Sequence, residues 1–343
     1  MRGACPFAGV FLMTLSTRAR RAALLTPLAL LAAPAPAMAC ACGCGIFDVG
    51  DGTLMADADS GLTIWARYAH MVQDQLREGD HRANPADNGD KRIATDFYTI
   101  GADYRINARW QVKLELPLVQ RAFTTTDDGT YAAAEGTVNT RRLTDLGDMT
   151  LRATYTGLFA NGATGLTLGL KLPTGRASSP AGPLGGAGFD RDTLPGTGST
   201  DLILGAHHVG MITPRLSYFV QGQYQFAMST RDGYRPGNEA DATVGLTYDT
   251  SASPDGFGIL PGIQLIGATR AHDTGDNADP LNTGYRRLLI APGVKWRLSH
   301  RASLFTDVAF PIAQHVNAGD PALGDSGQLV APAQLRVQFT YKI

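Results

Sequence analysis

The sequence LRVQFTYKI, residues 335–343, closes the chain with an apolar residue at every second position. Successive side chains of a β-strand point to opposite faces, so this stretch forms a strand with one apolar and one polar face. A helix, with 3.6 residues per turn, would spread the same apolar residues around its circumference. The stretch therefore predicts β-structure in which each strand separates an apolar surface from a polar one.

The same alternation recurs upstream, and we count twelve segments in all. Each has between 9 and 14 residues, a length that suits a tilted membrane-spanning strand. The even number is typical of a bacterial outer-membrane barrel. The segments are 62–73, 95–106, 110–121, 147–159, 165–173, 200–209, 216–228, 240–248, 259–269, 285–298, 303–311 and 332–343.

The connections between these segments alternate in length. The long ones are 74–94, 122–146, 174–199, 229–239, 270–284 and 312–331. The short ones are 107–109, 160–164, 210–215, 249–257 and 299–302. Outer-membrane barrels have short periplasmic turns and long extracellular loops. We therefore predict an all-β fold over 62–343: a transmembrane, antiparallel, up-and-down β-barrel of about 12 strands, with long extracellular loops and short periplasmic turns.

Aromatic residues support this orientation. Seven of them fall on the apolar face, near the end of a strand that meets a short turn, as in an interfacial aromatic girdle. They are Tyr104, Trp110, Tyr155, Tyr218, Tyr248, Trp296 and Tyr341. Seven aromatics at one end and on one face indicate a membrane interface more strongly than they reflect strand preference alone.

The start of the chain has the composition of an export signal. Arg18, Arg20 and Arg21 precede a short apolar run at 22–33, and Ala-Met-Ala at 37–39 has the pattern of a cleavage site. Residues 1–39 are thus a predicted signal peptide, with translation beginning at either Met1 or Met13. After residue 39 no apolar run is long enough for a transmembrane helix. The net charge of −1 gives no basis for nucleic-acid binding.

The segment 40–61, a predicted periplasmic N-terminal segment, contains three closely spaced cysteines. Cys40, Cys42 and Cys44 alternate with small residues, so an extended chain would point the three thiols the same way. Thiolates select Cu(I), zinc or an iron–sulfur centre, which makes these residues candidate metal ligands. Acylation of Cys40, a local disulfide and no role at all are the alternatives that the sequence leaves open.

Four strand–loop junctions carry a family resemblance. They are TDLGD at 144–148, LKLPTG at 170–175, LPGTGSTD at 194–201 and APGVK at 291–295. Over roughly 62–343 the chain resembles the outer-membrane barrels named for the meta-pathway of phenol degradation, which are distantly similar to FadL-type channels. The resemblance implies a barrel that transports small organic compounds and supplies no catalytic residues. The chain departs from that pattern at its last residue, Ile343, where Phe is usual, and in its cysteine run.

The polar face of the predicted strands would line the barrel interior. Its basic members are Arg67, Arg105, Lys113, Arg152, Lys171, Arg287, Lys295 and Arg297. Its acidic members are Asp103, Glu115, Asp148, Asp201, Asp241 and Asp307. A barrel of this size is wider inside than side chains alone fill, yet narrower than a porin. The charges can therefore pair and close the lumen, or line a narrow wet passage.

These observations predict an outer-membrane channel for small apolar or aromatic solutes, working by passive or gated diffusion. The alternatives are a structural or surface-interaction barrel with a closed lumen, and a metal-linked channel that uses the N-terminal thiols. The chain has neither a G-x-S-x-G nor an H-E-x-x-H motif, so we do not expect an enzyme or a cofactor. We expect a monomer whose partners are outer-membrane lipid and lipopolysaccharide, the barrel-assembly machinery and the solute.

Overall fold

The computed structural model describes residues 61–126, 136–178, 189–251, 256–319 and 326–343. The predicted signal peptide and the three cysteines lie outside this part of the chain. Its strands are β1 Gly61–Gln73, β2 Gln75–Glu78, β3 His81–Arg82, β4 Asp90–Asn107, β5 Trp110–Thr126, β6 Val138–Leu146, β7 Met149–Tyr155, β8 Thr164–Leu172, β9 Asp201–Thr213, β10 Leu216–Ala227, β11 Glu239–Tyr248, β12 Gly258–Arg270, β13 Tyr285–Arg297, β14 Ala302–Val316, β15 Gln328–Val330 and β16 Gln334–Lys342. Two short 3-10 turns, Pro85–Asp87 and Arg191–Thr193, complete the regular structure. Within the described ranges, no helix has the length and apolar character needed to cross a membrane.

The strands close into an antiparallel barrel. The sheet order runs β4-β1-β16-β14-β13-β12-β11-β10-β9-β8-β7-β5, and β4 pairs with β5 to complete the ring. The first and last strands of the barrel are neighbours in the ring, since β1 pairs with β16 from Thr63 opposite Lys342 to Met71 opposite Gln334. The β6 strand continues the line of β7, because both pair with successive parts of β5. The ring thus has twelve strand positions, as the sequence predicts.

The sequence analysis missed one strand of the wall and misplaced several strand ends, such as the start of β4 at Asp90 and the end of β14 at Val316. It assigned 122–146 to a loop, whereas β5 extends to Thr126 and β6 pairs with it from Val138 to Leu146. The sequence of β6, VNTRRLTDL, has no continuous apolar face. This strand extends the wall at the long-loop end, where its outer face does not have to contact lipid. A small sheet of β15, β2 and β3, which lies within two predicted long loops, was also not predicted.

The polarity of the wall is the reverse of that in a soluble protein, because its outer face is apolar and its inner face is polar. Large apolar side chains on the outer face are exposed, and Leu168 at the centre of β8 is 57% exposed. Others on this face are Ile100, Leu114, Leu151, Leu204, Val220, Val244, Ile263, Leu265 and Phe310. By contrast, charged and amide side chains on the inner face are buried. A continuous exposed apolar belt of this extent suits hydrocarbon rather than water.

The aromatic residues near the short turns lie on the same outer face as the apolar belt. Tyr104, Trp110, Tyr248 and Tyr341 are all exposed, and the rings of Trp110 and Tyr155 lie 4.9 Å apart across the β5–β7 pair. This arrangement agrees with the predicted girdle at the short-turn end of the barrel.

The long-loop end of the barrel interior contains an apolar cluster. Side chains from the wall, the small sheet and the β8–β9 connection meet there and exclude solvent. Its members are Leu76, Ile93, Phe123, Leu143, Phe189, Leu194 and Leu329. The rings of Phe123 and Phe189 lie 6.0 Å apart, so the connection packs directly against the barrel wall. The interior therefore contains an apolar cluster at the long-loop end, beside the buried Arg121.

Candidate functional site in the barrel interior

Glu115 on β5 is the centre of one charged cluster. Its carboxylate accepts a hydrogen bond from the Thr150 hydroxyl at 2.8 Å and pairs with Arg152. Arg67 and Lys113 also lie near it, with nitrogens 3.4 and 3.8 Å from Oε1. Four of the predicted interior residues are thus brought together from β1, β5 and β7. Each is mostly buried, so their charges interact more strongly than at a protein surface.

Trp65 lies beside this cluster and was not predicted as an interior residue. Its indole Nε1 donates to Asp103 at 2.7 Å, while Arg67 and Lys113 lie 4.9 and 4.8 Å from the ring centre. The ring covers Gly101, its cross-strand neighbour, where any Cβ would overlap it. The position of Trp65 on the polar face was visible in the sequence, but its glycine partner depends on strand register.

Lys171 at the end of β8 is the centre of a second cluster. Its Nζ lies 2.6 Å from Asp201, 3.5 Å from Asp148 and 2.7 Å from the Thr197 hydroxyl. The Gln225 amide donates to Asp201 at 2.8 Å. Asp148 also accepts from both the amide and the hydroxyl of Thr197. This network fastens the β8–β9 connection to the inner wall.

Three of the four junction motifs meet at this second cluster. The glycines of TDLGD, LKLPTG and LPGTGSTD, namely Gly147, Gly175 and Gly196, pack backbone against backbone, so that a Cβ on any of them would overlap a neighbour. The Gly175 amide donates to Asp148 at 3.0 Å. The motifs therefore hold the connection close to the wall, which accounts physically for the glycines they contain.

Two arginine–aspartate pairs lie on the other side of the barrel. Arg336 Nε donates to Asp307 at 2.8 Å, joining β16 to β14, and both side chains are almost fully buried. Arg297 lies 3.0 Å from Asp249 at the short-turn end. The sequence analysis placed Arg297 and Asp307 inside but did not include Arg336, although its position in the final strand alternation gave the necessary signal.

The remaining predicted interior residues also face inward. The Arg105 guanidinium donates to Gln111 at 3.4 Å, and that of Arg287 stacks over the Tyr285 ring at 4.6 Å. Lys295 shares the inward-facing side of β13 with Arg287, because the two are separated by an even number of positions. Arg105, Arg287 and Lys295 thus share the face of the wall that carries the buried charged clusters.

Two arginines hold the β8–β9 connection in the barrel mouth. Arg121, buried in the wall, donates through Nε to Thr95 at 3.0 Å and also bonds the Thr193 carbonyl. Arg191 stacks over the Tyr234 ring at 4.3 Å. Burial lowers the pKa of the Arg191 guanidinium below its ordinary value. The described end of the connection thus contacts both the barrel wall, through Arg121, and the β10–β11 loop, through Tyr234.

The barrel wall has a break near its long-loop end. Pairing between β14 and β16 stops at Ala309 opposite Gln334, and among the described residues no barrel strand pairs with that edge of β14 over 310–315. Farther toward the long-loop end, a single β-bridge pairs Gly79 with Val316 and ends the break. A cavity of about 40 Å³ lies at this break. Its lining is mixed. Met71, Leu289, Pro311 and Leu329 are apolar, whereas Gln73, Arg287, His315, Gln328 and Gln334 are polar.

The histidine pair on β9 does not form a joint site. His207 packs against Gly165, whereas His208 bonds the Thr164 hydroxyl at 2.8 Å and the Tyr218 hydroxyl at 3.1 Å. Adjacent strand residues point to opposite faces, so the two rings lie on different sides of the wall. Within the described ranges, no three His, Cys, Asp or Glu side chains are grouped to hold a metal.

No family model matches the sequence, and no curated protein matches it. The resemblance to the meta-pathway barrels therefore stays a prediction. Among solved structures, the chain is similar to an outer membrane channel from Pseudomonas putida F1, with a TM-score of 0.61 and 14% identity over 87% of this chain and 100% of that one. It also aligns with the β domain of the Bordetella autotransporter BrkA, with a TM-score of 0.46 and 14% identity over 83% and 100% of the two chains. The alignment with the CymD monoaromatic hydrocarbon channel has a TM-score of 0.43 and 9% identity over 86% and 93%. Such identities describe the fold alone: the chain shares the β-barrel fold of the Pseudomonas putida channel, and in this chain the ring has twelve strands.

Proposed function

We propose that this protein is an outer-membrane channel for small apolar or aromatic solutes. The observation that carries the proposal is the inverted polarity of the wall, with an exposed apolar belt outside and buried charged groups inside. A barrel of this kind places a protein-lined interior across a membrane. The long loops would then face the cell exterior, where lipopolysaccharide is the neighbouring lipid.

The division of the interior favours an apolar solute that does not travel the whole barrel. Apolar side chains meet at the long-loop end, whereas the clusters around Glu115 and Lys171 occupy the interior below. An apolar solute gains nothing from displacing buried ion pairs, because each separated charge would lose its partner. The break beside Pro311 offers an exit toward the membrane above those clusters.

The charged clusters also favour a rival, the barrel whose lumen is closed. Arg67, Lys113 and Arg152 surround a single carboxylate, and Lys171 joins two aspartates, so the wall is cross-linked at both places. Such a lumen would conduct ions poorly. The channel and the closed barrel therefore differ in solute flux through the wall rather than in ion conductance.

A chemical cross-link across the break distinguishes the channel from the closed barrel. Continued pairing beyond Ala309 and Gln334 would place Pro311 opposite Pro332. Pro311→Cys and Pro332→Cys would be combined in a background without native cysteines and joined by a short bis-methanethiosulfonate reagent, which links the two thiols through disulfide bonds that a reductant breaks. We expect cross-linking to abolish uptake of a neutral aromatic probe into proteoliposomes and reduction to restore it.

The matched control pair lies below the break. Val308 and Leu335 are already paired across β14 and β16, so joining cysteines at these positions should leave uptake unchanged. Uptake that is equal before and after cross-linking at 311 and 332 would exclude an exit at this break. No uptake by the unmodified protein would favour the closed barrel.

A further inference from the structure

The outer face of β4, β5 and β6 changes in character toward the long-loop end. The strand register places its side chains in rows that run across the three strands. The last apolar row has one exposed side chain from each strand: Tyr98, Leu118 and Leu146. The next row is polar and consists of Asp96, Gln120 and Thr144. The apolar belt therefore ends between these two rows, and the surface of the membrane is expected at this level.

Two arginines lie in the rows beyond the polar one. Arg142 on β6 is in the first of these rows, opposite Ala122 of β5. Arg92 on β4 is in the second, opposite Thr124 of β5. Both arginine side chains are exposed. Because β5 lies between them, their backbones are about 10 Å apart across the strands and about 7 Å apart along them. The two cations thus flank a short stretch of β5.

The register brings both arginines to the same part of β5. Ala122 is the direct cross-strand neighbour of Arg142 and the diagonal neighbour of Arg92. Thr124 is the direct neighbour of Arg92 and the diagonal neighbour of Arg142. On one face of an antiparallel pair, direct neighbours are about 5 Å apart and diagonal neighbours about 7–8 Å apart, within reach of long side chains. A group held above Ala122 and Thr124 is therefore within reach of both guanidinium groups.

The surface between the arginines is low and supplies a hydrogen-bond donor. Ala94 and Ala122 have the smallest side chains that a strand can present there, and they face each other across β4 and β5. The hydroxyls of Thr124 and Thr140 lie 2.8 Å apart and bond each other. That bond uses one of the two hydroxyl hydrogens, so the other can donate to an anion.

The acidic residue of these rows, Asp96, is directed away from the arginines. Its Oδ1 accepts from the Tyr68 hydroxyl at 2.7 Å and lies 2.7 Å from Nδ1 of His70. Both partners belong to β1, on the side of β4 opposite to β5. The charge presented by the surface above Ala122 and Thr124 is therefore positive.

We propose that Arg92 and Arg142, with the hydroxyls of Thr124 and Thr140, bind a phosphate group of an outer-leaflet glycolipid. Guanidinium groups bind phosphate oxygens through paired, charge-assisted hydrogen bonds. A lipid is favoured over a soluble phosphate because the site lies directly beyond the apolar belt, on which the acyl chains of the same lipid can lie. The inference rests on the proposed function only for the outward orientation of the long loops, and it does not depend on the route of the solute.

Lipid A with both of its phosphates is a suitable probe, and lipid A from which both phosphates have been removed is its matched ligand control. Each would be titrated into the detergent-solubilised full chain, and the bound fraction would be measured by native mass spectrometry. We expect the phosphorylated form to bind more tightly. Combining Arg92→Gln with Arg142→Gln should weaken its binding by about tenfold or more, because both guanidinium contacts with the phosphate are lost. No solute is present, so a failure of uptake and a failure of lipid binding are separate results.

Arg215→Gln combined with Arg301→Gln is the matched protein control. Both arginines are exposed in short turns at the opposite end of the barrel, and the net charge changes by the same amount. This variant should bind lipid A as the wild type does, whereas equal weakening by the two double variants would overturn the site. Equal binding of the two lipid forms by the wild-type protein would overturn it even if a variant fails to fold. Displacement of lipid A by an equal concentration of inorganic phosphate would show an adventitious ion only and overturn the lipid assignment.

Discussion

Lys171 and Asp201 face each other across β8 and β9, with Nζ and Oδ2 2.6 Å apart at the point where the two strands enter their long connection. The pair is buried, and Lys171 also lies 3.5 Å from Asp148. One lysine therefore compensates two carboxylates at the base of the connection. Through the Thr197 hydroxyl, 2.7 Å from Nζ, the same lysine also contacts the β8–β9 connection.

Replacing this lysine should destabilise the barrel. Lys171→Met would leave Asp148 and Asp201 buried without their cation, which costs about 3–5 kcal/mol for a buried pair. Urea unfolding of refolded protein in lipid vesicles would measure the loss. Lys91→Met is the control, because the hydrogen bonds of Lys91 go to the loop carbonyls of Pro85 and Asn88 rather than to a carboxylate, so its loss should cost only about 1 kcal/mol. Equal losses at the two positions would mean that the buried pair does not stabilise the wall.

The outer face makes a second prediction. Leu168→Arg should lower the free energy of unfolding by about 2–4 kcal/mol, because it places a charge near the middle of the apolar belt. Leu158, exposed in the short connection after β7, offers a matched substitution away from that belt. Leu158→Arg should cost about 1 kcal/mol or less. The assignment of the lipid-facing side would be wrong if both variants unfolded at the same urea concentration.

The contact between Trp65 and Gly101 makes a third prediction. Gly101→Val should destabilise the barrel by about 1–3 kcal/mol, since a side chain at 101 would overlap the indole ring. Adding Trp65→Ala should recover part of this loss by removing the overlapped ring. If the double variant loses more unfolding free energy than the two single variants lose together, the overlap is not the cause.

The topology can be tested by chemical labelling. Asp276→Cys lies in the long β12–β13 connection and Asn161→Cys in the short β7–β8 connection, in a background without native cysteines. A membrane-impermeant maleimide should label position 276 on intact cells and position 161 only after the outer membrane is permeabilised. Labelling of position 161 alone on intact cells would invert the orientation.

The local alternation of the sequence was enough to predict the barrel strands and their inward and outward faces. It was enough because lipid outside and charged groups inside impose a period of two on each strand. The β6 strand, VNTRRLTDL, was not predicted because it lies at the long-loop end of the wall, where the outer face does not have to be apolar. The small sheet escaped for a different reason, since β15 and β2 are short and pair across most of the chain.

The sequence indicated which face of a strand carries each charged residue, but not which residues that charge contacts. Lys171 could be placed inside from its alternation alone. Its contacts with Asp148 and Asp201 depend on how β8 and β9 enter their connection, which no local pattern specifies. The cross-strand neighbours of Asp241 likewise depend on the register between β11 and β12. Nonlocal pairing is therefore the information that the sequence pattern lacked.

The most direct test of the proposed channel is the uptake of a neutral aromatic probe by proteoliposomes that contain the full chain. We predict that the probe equilibrates faster than in protein-free liposomes, while ion conductance stays low because the charged clusters occupy the interior. Uptake at the protein-free rate would contradict the channel and favour a barrel whose role is structural.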